Sequence, residues 1–244
     1  MDFYSFAPIA AILDLAYAGV TALSTLVAPF AGDAAAALAV VLLTLIVRTG
    51  LIPVGISQVR AEFTRRRIAP QLQELQRRYK KRPEVLQEKM MQLYRDEKAS
   101  PFAGMLPALA QAPVLSIVYG LFVLAVINGH ANALLGGHLF GVTLGTSLVS
   151  GAAGWGGVPV FAGLLLVIGV VAWFSRRSSR TLAALDETAT PQAQSLGRWL
   201  SWLPFITVIF AGVVPLAATI YLAVTTTWTF VERAILRRAL RPTG

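Results

Sequence analysis

Arg48 stands where a charge is costly, inside the apolar run Leu42, Leu43, Leu45, Ile46, Val47 and then Leu51, Ile52. A guanidinium in hydrocarbon costs from about 2.5 to more than 10 kcal/mol, so it turns to water or to protein. No acidic residue lies within two helical turns of it. Val54 is only six positions further, roughly 9 Å of helix, so snorkelling toward one membrane face competes with a polar cavity. The cavity is the preferred reading, because other polar groups sit at comparable depth. Gln111 and Ser116 lie in a second apolar run. Tyr221, Thr225 and Trp228 recur at i, i+4 and i+7 in a third, which places them on one helical face. Thr225, Thr226 and Thr227 in succession make that stretch polar at one end, although a threonine in such a helix often bonds its own backbone.

Other chemistries are poorly served. His130 and His138 are eight residues apart with no carboxylate nearby, whereas a metal site needs three or four converging ligands. Cysteine is absent, which removes disulfides, thiolate ligands and a thiol nucleophile. No P-loop and no catalytic dyad can be found, so neither enzymatic activity nor a cofactor is expected.

The elements that carry these residues read as membrane helices. Hydrophobic residues make up 56% of the chain and charged ones 14%, and the apolar residues come in runs approaching the roughly 20 that cross hydrocarbon. Spans are expected at about Ala34 to Val54, Phe102 to Ile127 and Val158 to Phe174, followed by Trp199 to Phe230. The last is too long for one helix, and Pro215, soon after Gly212, divides it in two. The expected fold is therefore all-α and polytopic, with five transmembrane helices. Residues 1–33, which include Asp14, are read as an N-terminal interfacial helix bent into the first span (34–56) at Pro29, a spanning role remaining open. The N-terminus has no basic stretch ahead of its apolar residues, which argues against a cleaved secretory signal.

Residues 57–100 differ in kind. Phe63, Leu72, Leu75 and Tyr79 form one helical stripe, Val85, Leu86, Leu93 and Tyr94 a second, and Pro83 suits a first helical turn. The segment reads as an antiparallel helical hairpin with net charge 12 − 6 = +6, a surface suited to anionic headgroups or to an RNA or protein partner. Twelve of the 21 Lys and Arg lie here, four are Arg176, Arg177, Arg180 and Arg198, and four are Arg233, Arg237, Arg238 and Arg241. Before Arg48 and between Ile127 and Val158 there is none. The positive-inside rule then puts the hairpin, the 175–198 loop and the tail at 239–244 in the cytoplasm, with the N-terminus and the uncharged 128–157 loop outside. The second span occupies 101–127 and the last three fall within 158–238.

Three short sequences resemble the shared core of the YidC family of membrane protein insertases of bacteria, mitochondria and chloroplasts. They are Leu43-Thr44-Leu45-Ile46-Val47-Arg48, Leu106-Pro107-Ala108-Leu109-Ala110-Gln111-Ala112-Pro113 and Trp202-Leu203-Pro204-Phe205. The order of elements also matches, from about Phe6 to Arg238. This resemblance implies a multi-pass protein of the bacterial inner membrane with a groove closed outside and open to cytoplasm and lipid. It implies that Arg48, together with Gln111, receives hydrophilic parts of newly made membrane proteins without nucleotide hydrolysis, and Tyr221, Thr225, Trp228, Thr44 and Ser116 are read as further residues of the same groove. Anionic lipids are implied as partners, the Sec translocon remains open, no specific nucleic acid is expected, and the short tail argues against ribosome contact. Leu222 stands where many relatives carry a second aromatic after the tyrosine, and the large outward domain of some bacterial members is missing. The rival reading is a small anion or solute transporter that uses Arg48, against which stands the lack of an internal repeat.

Overall fold

The computed structural model describes residues 7–97, 99–100, 116–118, 120–127, 129–184 and 201–241, without the side chains of 179–184. Gln111 and most of the expected second span lie outside the described residues, as do 185–198 of the basic loop.

The first helix, α1 (Ala7–Ala31), is apolar almost throughout, and Thr21 and Thr25 tie their hydroxyls back to the carbonyls of Tyr17 and Thr21. Pro29 and the left-handed Gly32 end it in a 3₁₀ turn at Gly32–Ala34, after which the chain folds back so that Gly19 faces Leu43 of α2 (Ala35–Gly50). Here the boundary differs from the expected Ala34–Val54. The helix stops at Gly50 because Pro53, without an N–H, sits in the first turn of the next helix, α3 (Ile52–Arg78), and Leu51 caps the break with its N–H on the Val47 and Arg48 carbonyls.

Helix α3 leads through Tyr79–Arg82 to α4 (Pro83–Asp96), which returns against it; Arg67 and Glu97 meet at 2.6 Å across the pair. Past the helical residues at 116–118 and 120–123, the uncharged segment is not plain loop. It holds two small antiparallel pairs, β1 (Val126–Ile127) with β2 (His130–Ala131) and β3 (His138–Leu139) with β4 (Val142–Thr143). The second turns on Phe140 and Gly141, both at positive φ, the twist that a two-residue hairpin loop requires. Asn132 is buried with its amide donating to Leu121 and Leu124 carbonyls, which pins this cap to the helix below.

Three helices complete the bundle: α5 (Gly154–Ala184), α6 (Leu203–Val213) and α7 (Leu216–Ala239). The α6–α7 break falls at Val214-Pro215. The cap meets both sides of it: Leu216 and Ala217 at the start of α7 donate N–H groups to the Thr146 and Leu144 carbonyls at 2.8 and 3.0 Å, and the Gly212 carbonyl of α6 accepts from the Val149 N–H at 3.4 Å. Among the described residues two stretches are long and apolar enough to cross a membrane, 7–50, which is α1 followed by α2, and 154–178, while Leu203–Val213 is a shorter apolar helix. The chain is thus a mostly helical protein of membrane character. Its core gathers beneath the cap, where Val20, Val40, Phe122, Leu144, Phe161 and Leu216 are buried together. Large apolar side chains such as Leu15, Phe30, Trp155 and Ile209 point outward.

Candidate functional site

Helix α7 changes character along its length. Residues 216–221 and Ala223 are buried, small or apolar, and packed beneath the cap. From Thr225 onward it turns polar, and every fourth residue, Thr225, Thr229, Arg233 and Arg237, lines one cavity of about 290 Å³. The opposite wall comes from α5 (Ile168, Val171, Ala172, Ser175, Ser178) and α6 (Pro204, Thr207), and α2 contributes Arg48.

Arg48 occupies the last turn of α2 and is half-buried. Its Nε–H donates to Thr225 Oγ1 at 3.3 Å, a neutral partner that leaves the charge uncompensated. Among the described residues no carboxylate comes within ion-pair distance of it. Thr225 can accept this bond because its hydroxyl is turned to the cavity, whereas Thr226, Thr227 and Thr229 return theirs to carbonyls one turn back.

A second cavity of about 120 Å³ lies on the other side of Arg48, between α2, α3 and α7, and shares Thr229 and Arg233 with the first. Arg48 and Arg233 therefore partition the space. Gly55 of α3 allows this close approach, since the Glu232 carboxylate rests where a side chain at 55 would begin. Arg233, three residues past the apolar run that ends at Phe230, is open to solvent at the cavity mouth. Arg237 and Arg48 bring like charge to it, and Glu62 and Glu232 opposite charge.

At the far end Arg237 ties three helices. It donates through Nε and Nη2 to Glu62 of α3, at 3.3 and 3.1 Å, and through Nη1 to Ser178 of α5 at 3.3 Å. Glu62 also holds Arg66 on its own helix. Nearby, Arg176 lies over the Trp202 ring at 3.6 Å from its centroid.

The other expected site residues are placed differently. Tyr221 is buried, its ring 6.0 Å from that of Phe122, on the packed half of α7. Thr44 is buried with its hydroxyl bonded to the Val40 carbonyl at 2.6 Å. Ser116 is half-buried and Trp228 carries a buried Nε1 with no partner among the described residues; neither lines the Arg48 cavity. Arg48 and Thr225 are thus the two expected residues brought together. Sequence reasoning missed Arg233, Arg237, Ser175 and Ser178. The first two had a signal, the i+4 continuation of Thr225 and Thr229, but they read simply as part of a basic tail. His130 and His138 are exposed on separate hairpins.

Comparison with known proteins places this architecture. The sequence signature of the family described as "60Kd inner membrane protein" matches residues 27–242. A Clostridium perfringens protein named "Membrane protein insertase YidC" is 42% identical over 81 residues, 33% of this chain and 34% of the relative. A Streptomyces avermitilis protein of the same name is 25% identical over 222 residues, 82% of this chain and 51% of the relative. The Chlamydomonas reinhardtii "Inner membrane ALBINO3-like protein 2, chloroplastic" is 28% identical over 194 residues, covering 75% of this chain and 45% of the relative. The matched stretches span about a third to a half of these relatives' own length. With nearly the whole chain matched, from the end of α1 to the residue after Arg241, the protein belongs to the 60Kd inner membrane protein family, that of the YidC insertases.

Proposed function

We propose that the protein is a membrane protein insertase of the bacterial inner membrane, in which the Arg48 cavity receives the hydrophilic segment of a client while its apolar helix passes into lipid. The observation that carries this reading is the pairing of Arg48 with Thr225 in a hydroxyl-lined cavity below a tightly packed cap. A partly desolvated guanidinium attracts an acidic segment more strongly than one in bulk water, and that gain offsets part of the cost of bringing the segment below headgroup level. No nucleotide is needed in this scheme, because the energy comes from burying the client's apolar helix.

In the same proposal five helices span the membrane, 34–56, 101–127 and three within 158–238, with α1 resting at the outer interface. The N-terminus and the 128–157 cap face outward, and the 57–100 hairpin, the 175–198 loop and the tail lie in the cytoplasm. The distribution of Lys and Arg supports this orientation. Thr225 positions Arg48, and Gln111, Ser116 and Trp228 are proposed as further contacts for a client. Tyr221 and Thr44, packed as they are, are proposed to act by supporting the groove wall. Anionic lipid headgroups would meet the hairpin's positive surface, and newly made membrane proteins are the clients.

The test is replacement of Arg48 by Ala and by Lys in cells depleted of their own insertase, scored by insertion of a small client with an acidic outer tail. The Ala variant is expected to lose insertion by about tenfold or more, the effect of removing one charge-assisted contact, with Lys retaining much of it. Wild-type insertion by both variants would sink the groove reading.

A further inference from the structure

Along α7, Thr225, Thr229, Arg233 and Arg237 follow one another at intervals of four residues, so that about 18 Å of helix presents two hydroxyls and then two guanidiniums to one cavity. The two cations are not equivalent. Arg237 is committed to Glu62 and Ser178. Arg233 has no hydrogen bond or ion pair among the described residues, is open to solvent, and shares both cavities with Arg48. It stands eight residues from Thr225, about 12 Å along the helix on the basic-end side of Arg48. Arg48 from α2 and Arg233 from α7 border the same cavity with like charge, which Glu62 and Glu232 beside Arg233 offset in part, and an anion lodged between the two guanidiniums relieves what repulsion remains.

We propose that Arg233 and Arg48 together form a two-station anion path, in which Arg233 is the first cation to engage carboxylates of a client's acidic segment and Arg48 receives them next. This rests on the insertase reading above and adds to it a specificity residue. The hydroxyls between the stations favour a hydrated peptide segment, since the Thr225 hydroxyl can donate to its backbone carbonyls and the Thr229 oxygen can accept from its N–H groups as it advances. Arg237, neutralised by Glu62, holds the wall of the path in place. The preference for acidic clients therefore scales with two charges rather than one.

The experiment compares the unaltered chain with its Arg233→Gln and Arg233→Lys variants, and with Arg48→Gln, in insertase-depleted cells at matched abundance. Two clients are used that differ only in whether the outer tail carries Asp or Asn. Arg233→Gln is expected to lower insertion of the Asp client roughly tenfold and leave the Asn client unchanged, with Arg233→Lys restoring the Asp client. A photocrosslinking residue placed at Thr229 should capture the Asp tail and lose it in Arg233→Gln. Equal slowing of both clients by Arg233→Gln would assign the residue to the fold or to a lipid headgroup and overturn the proposal. So would no effect on either client while Arg48→Gln still discriminates them, an outcome that leaves the insertase reading intact. If the unaltered chain inserts neither client, the insertase reading itself fails.

Discussion

The two halves of α7, one packed beneath the cap and the other bordering a cavity, face different surroundings. From Leu216 to Ala223 small and apolar side chains are buried under the hairpin cap, and even the polar Thr219 is closed, its hydroxyl donating to the Ala211 carbonyl of α6 at 2.7 Å. From Thr225 to Arg237 the same helix borders space, with an arginine of α2 reaching across to it. One half is closed packing and the other is the polar wall of a cavity. Small residues let helices approach closely, while the polar threonine and arginine side chains at four-residue intervals border open space.

That contrast can be broken at its packed side first. Phe122→Ala removes the ring against Tyr221 from a fully buried site, and a loss of about 3 kcal/mol is expected, read as a lower unfolding midpoint in detergent. A much smaller loss would mean that the seal is loosely packed. Thr219→Val should cost about 1 kcal/mol, because its hydrogen bond to α6 disappears, whereas Thr225→Val at the wet end should cost little stability and weaken insertion of acidic clients instead. Equal stability losses for the two threonine variants would erase the distinction between the halves. The smallest effect is expected at Glu62→Gln. Its link to Arg237 is partly exposed, so stability changes by less than about 1 kcal/mol. Amide hydrogen exchange in α3 should nevertheless rise, as the tie to α7 weakens. Unchanged exchange there would show that α3 is held by packing alone.

Membrane character, the break before Pro215 and the oddity of Arg48 could be read directly, because they are local properties: run length, a residue without an N–H, and a charge among leucines. The two small hairpins of the cap were not legible. Two-residue strands leave no periodicity, and Asn132, which pins them, looks like any loop residue. The end of α2 at Gly50 was missed because the apolar run continues unbroken through Leu51 and Ile52, while Pro53 at the start of a new helix decides the geometry.

At the site, the residue type of Arg48 and its apolar neighbours require that it reach either water or a polar partner, since hydrocarbon does not tolerate an unpaired guanidinium. That it meets Thr225 follows from the way α2 packs beside α7. Tyr221, Thr225 and Trp228 share a helical stripe, but the cavity follows the neighbouring stripe through Thr229, Arg233 and Arg237, because α5 and α6 pack against that face and Phe122 closes on Tyr221. Periodicity says which side chains share a face; the packing of the other helices says which of those faces is left open to water.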